Sequence, residues 1–375
     1  MVTAPPPPPA IEQPAPYQLS YGVVAGTAAP GTRRVIVRVG PRTLADKPLG
    51  RRHFQLRVAL PPTESTVEVI TVGRNGRRSH AGVPHVLGAS RAASPVVRAP
   101  RNDVLLQRTV QQLAQRFGST SGIYVQDLTT GAGAAWNARA TFPAASTLKL
   151  AIAVTALART EGTPGLGSTL DRLLRQMLTY SDNPAANATE TYFGGSTSGG
   201  SALVNSLMRS VGLVDTEMYG GYELDALGQP QRFVAGSGAI PLRVDSQPTW
   251  GIGKKSSAYD LASLMRDVWL ASGGRGPLRA AQAGFTPADA RYLLYLLAHV
   301  RDPGKIDREV GKLADVRVLH KAGWINVARH DNGIVLWQGG ALVVTVMTYR
   351  PGGAGVASDV LAGKVASAAL RRFRG

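Results

Sequence analysis

The chain has no cysteine among its 375 residues, which excludes disulfides, thiolate zinc sites, iron–sulfur centres and a thiol nucleophile. No apolar run approaches the roughly 18 residues that span a bilayer, so no transmembrane helix is expected. The 6 histidines lack the spacing of a metal site, and His320 and His330 read as structural neighbours of a strand. The stretch "GTPGLGS" at 162–168 lacks the Gly-Lys-Ser/Thr ending of a phosphate loop and reads as a turn. Neither metal nor cofactor is expected. Acidic residues are scarce: 24 Asp and Glu stand against 42 Lys and Arg, a net charge of +18.

Hydrophobic residues make up 44% of the chain and charged residues 18%, enough apolar material for a packed core. The length suits two to three domains of about 150 residues each. The basic excess is uneven, with 13 basic and 3 acidic residues between positions 17 and 100. Such a segment suits nucleic acid, anionic lipid or an acidic cell-wall polymer, or else is an arginine-rich solvated surface.

Residues 1–16 carry seven prolines and read as a polyproline spacer, without the basic and apolar regions of a signal peptide. From 17 to 97 the pattern has period two, as in "RRVIVRVG", "FQLRVAL" and "TVEVITVG", with Pro-Gly and Asn-Gly turns between runs. This predicts a small all-β, immunoglobulin-like sandwich. The stretch "ASRAASPVVRAP" at 89–100 has linker composition. Beyond it, "GIYVQDL" and the segment around Ala134 to Trp136 form a predicted hairpin, and a helix should begin near Ser146. Further helices are expected near 170–178, 201–212, 257–272, 287–300 and 358–373. Three strands lie between the last two, and the aperiodic stretch 213–255 reads as a functional loop. A five-stranded antiparallel sheet with a helical cluster follows, an α+β domain over 101–375.

Three short boxes carry chemistry. In "AASTLKL", Ser146 and Lys149 are three residues apart and share one face of a helix. A serine hydroxyl needs a neighbouring base, which a close lysine can supply, and a helix N-terminus offers N–H groups to a developing oxyanion. In "YSDNPAAN", Ser181, Asp182 and Asn183 suit either a helix cap or a polar loop that relays protons and binds an amide. In "LHKAGWI", Gly323 beside Lys321 and Ala322 marks a strand bulge or close approach by a ligand.

Together, in this order, Ser-x-x-Lys, Ser-Asp-Asn and Lys-x-Gly resemble the class A β-lactamase and penicillin-binding serine hydrolase superfamily over residues from about 102 to 375. The resemblance implies that Ser146 forms an acyl-enzyme with Lys149 as its base. It implies that Ser181 passes a proton to the leaving nitrogen, assisted electrostatically by Lys321, and that Asn183 orients the substrate amide. Asp182 would hold the loop. The N–H groups of Ser146 and Trp324 would form the oxyanion hole. Ala322 stands where the family normally has Thr or Ser binding the substrate carboxylate, and Arg329 or Arg350 could replace that anchor. For the deacylating glutamate, 213–255 offers Glu217 and Glu223, of which Glu223 in "YELDAL" is the better placed.

The leading expectation is an extracytoplasmic serine hydrolase that opens β-lactams and deacylates slowly. The rivals are a D,D-peptidase acting on peptidoglycan stem peptides and a catalytically degenerate wall-binding or scaffold protein. Expected partners are a β-lactam or peptidoglycan-derived substrate and an anionic wall polymer on the basic first domain, with no nucleic acid.

Overall fold

The alternating valines of the first segment fold as strands: β1 (Ala10–Gln13), β2 (Gln18–Ser20), β3 (Val23–Thr27), β4 (Thr32–Val39), β5 (Arg42–Pro48), β6 (His53–Arg57), β7 (Glu64–Gly73) and β8 (Arg78–Gly88). They make a three-stranded sheet, β1-β3-β6, and a five-stranded sheet, β2-β8-β7-β4-β5. Val35, Val37, Val67, Val69 and Val83 of the larger sheet share a core with Val24 and Phe54 of the smaller. Period-two alternation thus turns one face of each sheet inward. The spacer expected over 1–16 is corrected: Ala10 pairs with Thr27 and Ile11 with Gly26. Prolines flank this strand rather than enter it, so its donors stay available.

The computed structural model describes residues 7–222, 239–250 and 253–375. It divides into two units, Met1–Ser94 and Pro95–Gly375. The second unit begins with β9 (Arg101–Asn102), α1 (Val104–Phe117), β10 (Thr120–Asp127), β11 (Ala132–Trp136) and β12 (Thr141–Pro143). A helical cluster follows: α2 (Lys149–Ala158), α3 (Thr169–Thr179), α4 (Asn183–Gly194) and α5 (Thr197–Ser210). The chain then returns through β13 (Lys255–Ser257), α6 (Ala258–Ser272), α7 (Pro277–Ala281), α8 (Pro287–Leu297) and α9 (Asp307–Val310). It ends in β14 (Arg317–Ile325), β15 (Ala328–Trp337), β16 (Gly340–Tyr349) and α10 (Gly355–Arg374).

The five expected antiparallel strands are β10, β11, β14, β15 and β16, but the sheet has a sixth, in the order β14-β15-β16-β10-β11-β9. Strand β9 pairs in parallel with β11, and two residues are too few to carry a periodic signal. Helices α1 and α10 cover one face: Leu106, Val110, Leu361 and Val365 share a core with Ile123, Val125, Val335 and Val344. On the other face α6 packs against β10, β15 and β16. Helix α2 is apolar all round, and Leu150 to Val154 are fully buried, as expected of a helix at the centre of a domain. Strand β14, with the Lys box, is left at the sheet edge. Among the described residues no helix is long and apolar enough to cross a membrane.

Candidate active site

Strand β12 delivers the chain into the Ser146 turn. The helix expected from Ser146 instead opens as a single 3₁₀ turn over Ala145–Leu148, and α2 starts at Lys149. Ala145 has φ of 48°, a left-handed conformation that cannot extend a helix upstream. Thr147 N–H donates to Ala144 O and Lys149 N–H to Ser146 O. In such a turn residues i and i+3 eclipse, so Ser146 and Lys149 share a face more closely than α geometry allows.

Two buried lysine side chains converge on the Ser-Asp-Asn loop. Lys149 Nζ donates to Ser181 O and to Asn183 Oδ1, each at 2.5 Å. Lys321 Nζ donates to Ser181 Oγ and to Ala322 O, each at 2.8 Å. Both lysines are 0% exposed. Ser181 itself has φ of 59°, strained for a non-glycine residue, and this directs its carbonyl to one lysine and its hydroxyl to the other. Asp182 caps α4 by accepting from Ala185 N–H at 2.6 Å, as the capping reading of this box expects.

The resemblance makes Lys149 the base and gives Lys321 a field role. In the structure Lys321 is pushed down to about 7, first by burial and then by the charge of Lys149. Its ordinary value is 10.5, so between these two values the folded chain binds fewer protons than the unfolded one and stability rises with pH. Burial also lowers Lys254, with the same sign. Melting temperature should therefore increase from about pH 8 to 9.5, and Lys321→Met should flatten that slope. An unchanged slope in the variant would exclude Lys321 as a source.

Strand β14 lies directly on the nucleophile turn. A Cβ at Gly323 would sit 2.7 Å from Thr147 N and 2.8 Å from Ser146 N. Any side chain there would push the strand off the turn, so the glycine permits close backbone approach rather than a bulge. Trp324 follows it and is 58% exposed. Lys321 and Gly323 share one face of β14, and Ala322 takes the other with His320. Ala322 is fully buried and pairs with Asp331. The methyl of Ala322 thus lies on the face of the strand opposite Lys321. Arg329 Nε donates to Asp359 at 2.7 Å, and its guanidinium lies 6.0 Å from the Trp324 ring centroid. It stands opposite Trp324 on the adjacent strand.

Sequence reasoning passed over Tyr222. Its ring centroid lies 4.6 Å from Lys149 Nζ and 5.1 Å from Lys254 Nζ, within cation–π range of both. The Tyr222 hydroxyl donates to Ala145 O at 3.1 Å, next to the nucleophile. Asn187 fixes its backbone, accepting from Tyr222 N–H at 2.6 Å and donating to Tyr222 O at 2.9 Å. Behind this pair lies Glu190, fully buried, accepting from Ser201 Oγ at 2.9 Å. Its second oxygen has no partner among the described residues, and burial raises its pKa to about 7. Asn183, Asn187 and Glu190 recur at spacings of four and three on α4, which was the available signal. Glu217 is paired with Lys255 at 2.9 Å, in a strap next to β13. Glu223 lies outside the described residues.

Two histidines support the sheet. His330 is held low, at about 4, by burial. In its neutral form Nε2 donates to Pro143 O at 2.7 Å while Nδ1 accepts from Thr348 N–H at 3.1 Å, which ties β15 to the strand entering the Ser146 turn. His320 Nδ1 lies 2.9 Å from Asp331 Oδ2. Burial opposes its charge, but Asp331 outweighs burial and raises its pKa. Asp307, His320 and Asp331 place ligand atoms within 4.8 Å of one another. These atoms are engaged within the protein: Asp331 accepts from Ile306 N–H, and Asp307 from Gly304 and Lys305 N–H. The cluster is a buried ion pair with its hydrogen bonds made.

The fold that carries this site is shared with solved structures. A mutant of PBP-A, an acyl-enzyme complex with penicillin G, aligns at TM-score 0.56 and 21% identity, covering 74% of this chain and 99% of that one. A β-lactamase from Sphaerobacter thermophilus aligns at 0.53 and 20%, covering 72% and 97%. A class A β-lactamase from Mycobacterium abscessus aligns at 0.53 and 19%, covering 72% and 100%. No curated protein sequence matches. The sequence model of the beta-lactamase enzyme family matches residues 105–163 and 159–373, and the chain belongs to that family.

Proposed function

We propose that the second unit is a serine hydrolase that opens a β-lactam, or a peptidoglycan-derived amide, through an acyl-enzyme on Ser146. The observation that carries this reading is the convergence of Lys149 Nζ and Lys321 Nζ on opposite ends of Ser181, beside the Ser146 turn. Lys149 in its neutral amine form takes the proton from the Ser146 hydroxyl as Oγ attacks the carbonyl carbon, becoming the ammonium. The N–H groups of Ser146 and Trp324 receive the oxyanion. Ser181 passes the proton to the leaving nitrogen under the field of Lys321, and Asn183 orients the substrate amide. The N-terminal all-β unit is read as an immunoglobulin-like domain, and the protein as extracytoplasmic.

The acyl-enzyme is long-lived on this reading. Hydrolysis of the ester needs a base that holds a water beside Ser146, and the described group packed against Lys149 and Ala145 is a phenol, Tyr222. This favours a penicillin-binding D,D-peptidase over an efficient β-lactamase. Intact-mass spectrometry after mixing with benzylpenicillin tests both points: an adduct of the full penicillin mass should form and persist after excess drug is removed. Failure to form any adduct would overturn the hydrolase in favour of a degenerate scaffold, and rapid loss of the adduct would overturn slow deacylation.

A further inference from the structure

Three segments distant in sequence meet at one end of the first unit: 28–33, 49–53 and 73–78. Ala28 N–H donates to Arg52 O at 2.8 Å and Leu49 N–H to Arg33 O at 2.7 Å, while Thr32 pairs with Gly73 across β4 and β7. Gly73 N–H closes the β7–β8 turn on Arg77 O at 2.9 Å. The fold thereby gathers Arg33, Arg51, Arg52, Arg74, Arg77 and Arg78, and the three segments contain no carboxylate. All six are exposed except Arg77, which is half-buried. The nearby acids are occupied: Asp46 is bonded by Arg34, and Glu12 is held by Thr27 and lies 3.7 Å from His53. Glu64 and Glu68 lie further along β7, opposite Leu87 and Gly82 of β8.

We propose that this arginine end of the first unit binds a flexible phosphodiester polymer of the polyol-phosphate type. Guanidinium forks match phosphate oxygens in pairs, and six of them spread over three loops suit successive phosphates rather than a single anion. The segments carry no Phe, Tyr or Trp, and their one ring, His53, lies beside Glu12, so they offer no row of aromatic platforms for stacking successive unpaired bases. Their one large aliphatic side chain, Leu49, packs on the core, so nothing there inserts into a bilayer. The choice of a wall-type polymer over duplex DNA rests on the proposed cell-wall chemistry of the second unit.

The test is titration of the full chain with synthetic poly(glycerol phosphate) at 50–200 mM salt, a range over which six phosphate contacts lose affinity by roughly 300-fold. Arg74→Gln/Arg78→Gln should weaken binding about tenfold or more at the low-salt end and flatten the salt dependence. Arg42→Gln/Arg57→Gln removes the same charge from the far ends of β5 and β6 and should leave binding unchanged. Ser146→Ala should bind the polymer as the parent does, which separates this proposal from the fate of the hydrolase reading. No binding at low salt, equal losses in both double variants, or tighter binding to duplex DNA or phosphatidylglycerol vesicles would each overturn it.

Discussion

Ser146→Ala is expected to end covalent labelling by penicillin, lowering acylation by roughly a million-fold, the scale on which a serine hydrolase loses its nucleophile. The change removes one oxygen from a turn whose backbone bonds, Thr147 to Ala144 and Lys149 to Ser146, do not involve that oxygen. Circular dichroism and the melting temperature should therefore stay as in the parent. A variant that still gains the penicillin mass would place the nucleophile elsewhere, and Ser181, bonded to Lys321, would be the next serine to replace. A variant that fails to fold would be distinguished by its melting curve, and Ser146→Gly then repeats the test with the same backbone bonds.

How much of this was legible depends on how local each feature is. Ser146 with Lys149, and Ser181 with Asn183, are short-range boxes whose residue types alone suggest chemistry, and the fold brings them together with Lys321. Period two also shows that Ala322 faces away from Lys321 and Gly323. The lysine with the lowered pKa was not legible, because burial by the sheet and the nearby charge of Lys149 decide it. Strand β9 was too short to show a period, and β1 was hidden by its flanking prolines. Tyr222 was the largest miss. It reaches Ala145 from 77 residues away, out of an aperiodic stretch, and the Asn187 clamp and the Lys254 bond to Gly221 O fix its place.

Tyr222→Glu should convert a persistent acyl-enzyme into one that turns over. A carboxylate in place of the phenol would lie within reach of both Lys149 and Lys254, whose charges favour its ionised form. It would also inherit the backbone clamp from Asn187, so its position next to Ala145 is already set. An ionised carboxylate held there can take a proton from a water attacking the Ser146 ester, and general-base catalysis of this kind typically contributes about 10²–10⁴-fold. The half-life of the penicillin adduct, followed by intact mass after removal of free drug, should shorten by a factor in that range. Tyr222→Gln is the companion variant, because it opens the same space for water without supplying a base. If the glutamine shortens the adduct lifetime as much as the glutamate does, room for water rather than want of a base at position 222 limits deacylation. If neither variant changes it while both still acylate, Tyr222 does not border the path of the attacking water.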